Sequence, residues 1–212
     1  GMSTYFLPLS MSWGEDMPGP SGLVLSRLRR GSQVGALADA YCDDGFLLAL
    51  IEMIREGSVL RGAEGGVAGR ATRALDAVEL PDPPELRRMG GEQSNSSAVI
   101  ADTVVLKLFR RPHEGVNAEV EMGLYLTETS HFANTPPLLG WIETQDDAGR
   151  HAVLAVLHGF VRNQGDAWEW TLAQLARFLD EASLLPAEEL ASRVEQGMLD
   201  DFLAFVRVLG QR

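Results

Sequence analysis

The sequence reads as an α+β chain: an antiparallel sheet with one helix, preceded by a β-rich segment and followed by helices. Three observations carry that reading. Residues 5–41 alternate apolar and polar positions in runs separated by Gly/Pro/Ser-rich turns. Two stretches, CDDGFLLALIEMIREG and DAWEWTLAQLARFLDEA, place apolar residues at helical spacing. Between them, ELPDPPELRR carries Pro81, Pro83 and Pro84 and cannot be regular structure, which sets a boundary near 80–86.

Taken in order, YFLPLSMSW, GLVLSRLRR and QVGALADAY are three strands, and Pro8 marks the first as an edge or bulged strand. The helix that follows is apolar at 46, 47, 50, 51 and 54, with Asp43 or Asp44 as N-cap and Gly57 closing it. VLRGAEGGVAGRATRALDAVEL returns to short strands and turns. Past the prolines, SSAVIA over 96–101 and a strand over 104–110 form a hairpin turning at Asp102-Thr103. Asn117 caps a helix of about ten residues, and strands follow at 138–145 and 151–158. GFVRNQG connects to the DAWEW helix, and Pro186 opens a last helix whose spacing runs through Leu190, Val194, Met198, Phe202, Phe205 and Leu209.

Composition narrows the function classes. Over 212 residues, 45% apolar and 23% charged content is ordinary for a globular protein. A net charge of −12 argues against nucleic-acid and anionic-membrane partners. No apolar run reaches the length of a membrane span, and no basic segment precedes Tyr5-Phe6-Leu7 to suggest a signal peptide. Cys42 is the one cysteine, which excludes an internal disulfide and suits a reducing, cytoplasmic setting.

The most informative residue is Lys107, the only lysine beside seventeen arginines, and it sits inside the apolar strand VVLKLF. Such a lysine could snorkel from an edge position. The order of elements favours a functional role: a polar loop, a hairpin, a lysine on its second strand, then a helix with acidic residues. Kinase-type phosphoryl-transfer enzymes use that order, with the loop holding phosphates, the lysine meeting the α- and β-phosphates and a helix glutamate fixing the lysine. Lysine suits the task as a compact point charge where arginine presents a planar fork. The glutamate is Glu119 or Glu121, about 200° apart on a helix, so only one can reach Lys107. Both flank Val120. Leu124 and Leu126 are read as pulling the buried arc to one side, and Glu121 is taken as the partner.

These segments resemble the maltokinases, including the kinase portion of trehalose synthase/maltokinase fusion proteins. GGEQSNSS (90–97), VVLKLFRRPHEGVNAEVE (104–121), PPLLG (136–140), LAVLHGFVRNQGDAW (154–168) and TYFLPLSMSW (4–13) carry the resemblance. It implies a protein-kinase-like fold related to aminoglycoside phosphotransferases. The implied domains are a cap subdomain over 1–86, an ATP-binding N-lobe with a five-stranded sheet over 87–164, and the start of a helical C-lobe over 165–212. It further implies that Glu92, Gln93, Ser94, Asn95, Ser96 and Ser97 form the phosphate loop, that Lys107 and Glu121 are paired, and that Val99 and Val105 pack on the purine. Backbone groups from His158 through Phe160 to Val161 would hold adenine, and Asn163, Asp166 and Trp168 would sit near ribose or the interlobe cleft.

The implied reaction is ATP-dependent phosphorylation of maltose to maltose 1-phosphate in trehalose and α-glucan metabolism, with Mg2+ in the complete enzyme. Family members continue past FVRVLGQR into a full C-lobe, so this chain is expected to be truncated before its catalytic loop. On that expectation it has no catalytic residue or metal ligand of its own, is inactive alone, and pairs with a missing kinase C-lobe or with trehalose synthase. The alternative expectation is a non-catalytic regulatory or scaffolding module associated with trehalose synthase. A sugar-binding cap is a third.

Overall fold

The computed structural model describes residues 4–14, 23–90, 94–163, 165 and 167–210. The chain has two compact units, Gly1–Val161 and Arg162–Arg212. It is a mixed α/β chain with antiparallel sheets and few helices.

The first unit opens with strands β1 (Leu9–Trp13), β2 (Val24–Arg30) and β3 (Gln33–Asp39), which form a sheet in the order β1-β3-β2. A short 3-10 turn, Ala40–Cys42, leads into helix α1 (Asp44–Glu56). As expected, the Asp43 carboxylate caps α1 by accepting from the Gly45 and Phe46 N–H groups, and Gly57 ends it in the left-handed conformation.

The second sheet contains seven strands among the described residues, all antiparallel, in the order β4-β5-β9-β10-β8-β7-β6. These are β4 (Val59–Gly62), β5 (Gly65–Ala71), β6 (Leu86–Arg88), β7 (Asn95–Ile100), β8 (Val104–Phe109), β9 (Leu138–Gln145) and β10 (His151–Gly159). The expected division at 86 is not where the contacts divide. β4 and β5, which precede the prolines, pair onto β9 and extend the expected five strands to seven. Proline breaks the local ladder there, but the break says nothing about which sheet the strands on either side join.

The hairpin turn lies one residue earlier than expected. Ala101 and Asp102 both take positive φ, and Thr103 N–H bonds to the Ile100 carbonyl across them. Asn117 caps helix α2 (Ala118–Leu124) by accepting from Glu119 and Val120 N–H, and Tyr125–Thr129 continues as a π-helical turn.

Each face of the seven-stranded sheet is covered differently. On one, Leu47, Leu50, Ile51 and Ile54 of α1 belong to the same buried cluster as Ala98, Ile100, Val104, Leu106, Leu108, Ala155 and Leu157. α1 lies close to the sheet because Gly69 and Gly140 lack side chains: a Cβ at either would collide with Met53 backbone or the Ile54 side chain. On the other face, Val120 of α2 packs with Leu138, Val153 and Val156, joined by Phe109, Leu124 and Trp141.

A buried polar cluster joins the two sheets. Arg110 Nη1 lies 2.8 Å from Asp39 Oδ2, and Arg110 Nε donates to Ser96 Oγ at 2.8 Å. The Tyr41 ring lies beneath both the Arg88 and Arg110 guanidinium groups, and its hydroxyl donates to the Ser97 carbonyl at 2.6 Å.

The second unit holds α3 (Ala167–Ser183), α4 (Ala187–Glu195) and α5 (Asp200–Gly210). The expected single last helix is two, broken at Gly197, whose φ of +100° no helix permits. Within this unit the Trp170 and Phe205 rings pack at a tilt of 43° with centroids 4.2 Å apart.

Asp39 is 7% exposed, so truncating Arg110 strands a buried carboxylate. Arg110→Ala is expected to cost about 3 kcal/mol in urea denaturation. Arg87→Ala, which removes an exposed pair with Asp102, is expected to change stability by less than about 0.5 kcal/mol.

Candidate functional site

Strand β8 puts its residues on two chemically different faces. Val104, Leu106 and Leu108 are fully buried against the α1 side, so Val105, Lys107 and Phe109 turn to the α2 side. Antiparallel register sets their neighbours. Ser97, Lys107 and Val156 make one row across β7, β8 and β10, and Val99, Val105 and His158 make the next. The ammonium therefore stands on a face with valines on both neighbouring strands.

Lys107 meets Glu119, not Glu121. Lys107 Nζ donates to Glu119 Oε2 at 2.9 Å, while Glu121 is exposed. The expectation leaned on Leu124, which lies about 40° from Val120 on the Glu121 side of the wheel; Leu126, seven residues after Glu119, falls within about 20° of Glu119 on a regular helix and points to the partner that the structure shows. Glu119 itself is well placed: it lies in the first turn of α2, where the helix end favours an anion, and its N–H is held by the Asn117 cap. Phe109 adds a second contact, its ring centroid 5.3 Å from Nζ.

His158 completes the cluster through its side chain. Its Nε2 lies 3.3 Å from Glu119 Oε1, leaving Oε2 to Lys107. That contact is off-line as a hydrogen bond, and both imidazole nitrogens are enclosed without a well-aligned partner among the described residues. The expectation for His158 concerned its backbone and missed the ring. A strand-end histidine two positions from a valine gives no sign of a carboxylate arriving from a helix.

The other expected residues fare unevenly. Glu92, Gln93 and Asp166 lie outside the described residues. Asn95, Ser96 and Ser97 belong to β7 and not to a loop. Ser96 pairs with Leu108, faces away from Lys107, and its hydroxyl is taken by Arg110. Ser97 shares the Lys107 row but is buried. Ser94 is exposed ahead of the strand, and its hydroxyl accepts from the Asn95 amide. Val99 is 1% exposed and already enclosed, whereas Val105 is half-buried.

Two backbone donors of the stretch expected to hold adenine are engaged within the protein. Phe160 N–H bonds to the Thr103 carbonyl at 2.8 Å, and Gly159 N–H to the Pro137 carbonyl at 3.0 Å. Val161 is exposed at the end of the first unit. In the second unit, Asn163 Oδ1 accepts from Gly165 N–H and Trp168 is exposed.

Electrostatically, the cluster is built around the Glu119 carboxylate. The His158 imidazole first, and then the Lys107 ammonium, hold it below the usual carboxylate value against the burial that would raise it. A concave region of about 390 Å³ on the first unit lies elsewhere, between β4, β5 and the end of β9, with Arg61, Arg70, Glu143 and Asp146 in its wall. Lys107 is on the sheet face outside it. A face with a fixed ammonium beside half-buried Val105 fits a polyphosphate next to an apolar ring. Magnesium is not fitted in the same way: among the described residues no three His, Cys, Asp or Glu side chains cluster to hold a metal. Nor, among them, is any helix long and apolar enough to cross a membrane.

No family model matches the chain. It is similar to a solved glucosamine kinase in complex with glucosamine, ADP and inorganic phosphate, at 16% identity and a TM-score of 0.44, over 84% of this chain and 45% of that one. It is also similar to a glucosamine kinase in crystal form B, at 16% identity and a TM-score of 0.31, over 64% of this chain and 43% of that one. The chain spans less than half the length of both. At those scores the likeness carries neither a fold family nor a ligand over to this chain.

The lowered Glu119 value sets a pH dependence. Its stabilising contribution is complete above the unfolded value of about 4.3 and is lost as pH falls through the lower folded value. Glu119→Gln is therefore expected to unfold at lower urea than wild type at pH 7, with the gap closing as pH falls below about 4. Glu121→Gln is expected to match wild type throughout. A gap for Glu119→Gln that stays constant across the acid range would refute the assignment.

Proposed function

We propose that residues 1–212 are the nucleotide-binding part of an ATP-dependent sugar kinase of the maltokinase type. In this reading, β6-β7-β8-β10-β9 with α2 is a kinase-like N-lobe, residues 1–86 contribute the cap, and 165–212 begin a helical C-lobe. The complete enzyme would take maltose and ATP to maltose 1-phosphate, with the base for the sugar hydroxyl and the magnesium ligands supplied by a catalytic lobe outside these residues.

One observation carries the reading. The chain's only lysine is held at 2.9 Å by a glutamate from the helix that follows its strand, on a sheet face shared with apolar Val105. A merely structural cation had seventeen precedents for arginine in this sequence. Bound ATP would supply the transferable phosphoryl group. Lys107 would place one positive charge at the α- and β-phosphate oxygens, and Glu119 would keep it from swinging to other rotamers. Val105 would present an apolar surface to the purine. Glu92, Gln93 and Ser94 remain candidates for phosphate contact; Ser96 does not, since it lies on the sheet face opposite Lys107.

Calorimetric titration with Mg–ATP tests the proposal. The wild-type chain is expected to bind, and Lys107→Ala to weaken binding by about tenfold or more, as loss of a charge-assisted contact would. Equal affinity in the two proteins, or no binding to either, would overturn the nucleotide role and leave the regulatory or scaffolding module as the better reading.

A further inference from the structure

Glu119 has two oxygens, and the structure gives each its own cation-capable partner: Lys107 at 2.9 Å and His158 at 3.3 Å. A single ion pair between side chains that are a quarter to a third exposed is a weak restraint, worth at most about 1 kcal/mol. A glutamate held at one oxygen only retains rotamer freedom, and an ammonium on a four-carbon stem retains more. Something further is needed if the pair is to present one geometry.

His158 is placed to supply it. Its backbone is fixed in β10, the central strand, directly opposite Val105 of β8, so the ring's origin does not move with α2. The ring is largely enclosed, its side chain 20% exposed, and the charged side chain in contact with it is Glu119, itself paired with Lys107. A buried imidazole without a well-aligned partner is costly, and Glu119 Oε1 stands 3.3 Å from its Nε2.

We propose that His158 is a positioning residue: its imidazole anchors the second oxygen of Glu119 to the sheet, so that the first holds Lys107 in the orientation that meets the phosphates. The role in nucleotide binding rests on the function proposed above, whereas the anchoring itself does not. A tether from β10 through Glu119 to β8 joins helix α2 to two adjacent strands, and movement of α2 away from the sheet would release the lysine.

Lys107 being the only lysine makes the test direct. A chain isotopically labelled at lysine nitrogen gives one side-chain ammonium signal in NMR, readable without any nucleotide. His158→Phe keeps a ring without a donor and is expected to move that signal toward its position in Glu119→Gln. His158→Gln keeps a donor and is expected to restore the wild-type position. Mg–ATP affinity is expected to fall about fivefold in His158→Phe and to recover in His158→Gln. If His158→Phe fails to give a cooperative thermal transition, His158→Met carries the same expectation. A Lys107 signal unmoved by the donor-free variants, while Glu119→Gln moves it, overturns the anchoring. A signal that responds in a chain that binds no nucleotide upholds the anchoring and refutes only the nucleotide reading.

Discussion

The register of β8 is the constraint on which the site and much of the core depend. Leu106 and Leu108 are fully buried beneath α1, and Lys107 stands between them on the opposite face. A slip of one residue would drive the ammonium into a dry apolar layer and turn two leucines outward, each change costing several kcal/mol. That penalty holds β8 to one alignment. The cross-strand neighbours then follow: Ser97 and Val156 beside Lys107, Val99 and His158 beside Val105. The ion pair with Glu119 is thus a consequence of core packing. It does not have to be strong to be well placed.

The Asp39–Arg110–Tyr41 cluster acts on the same strands from their ends. Arg110 follows β8 directly, bonds Ser96 on β7 and pairs with Asp39 at the end of β3. Tyr41 reaches the Ser97 carbonyl. These polar groups link the two sheets through an ion pair and hydrogen bonds, and the start of β7 is held by side chains from the β-rich first segment. The same contacts engage Ser96 on the sheet face opposite Lys107. A run of small hydroxyl residues that reads as a phosphate loop is therefore partly an anchoring strand.

Legibility varied by the range of the interaction. The caps at Asp43, Gly57 and Asn117 were readable because each acts on backbone groups within a few residues of itself. The helical spacing of α1 and the alternation of β8 were readable because each reports one buried face. Misreadings arose where that locality failed. Glu119 and Glu121 flank Val120 symmetrically, so which of them reaches Lys107 depends on how α2 docks, and Gly197 broke a helical pattern whose apolar spacing ran straight through it. The proline-rich stretch looked like a domain boundary, yet β5 crosses it in space to pair with β9. His158 left no signal, since its role depends on a carboxylate from a helix that is neither its neighbour nor in phase with it.

By itself the sequence determined that Lys107 would stand on one face of a strand whose other face is apolar, and that a capped helix with two glutamates would follow. Strand alternation and helix capping are short-range consequences of backbone geometry, and a residue string carries them in full. Tertiary structure alone decided which glutamate arrives, that an imidazole from β10 meets its other oxygen, and that two early strands complete the sheet. Those outcomes turn on the order in which strands pair and on how α2 docks, and both are settled by the fit of buried faces between segments far apart in the chain.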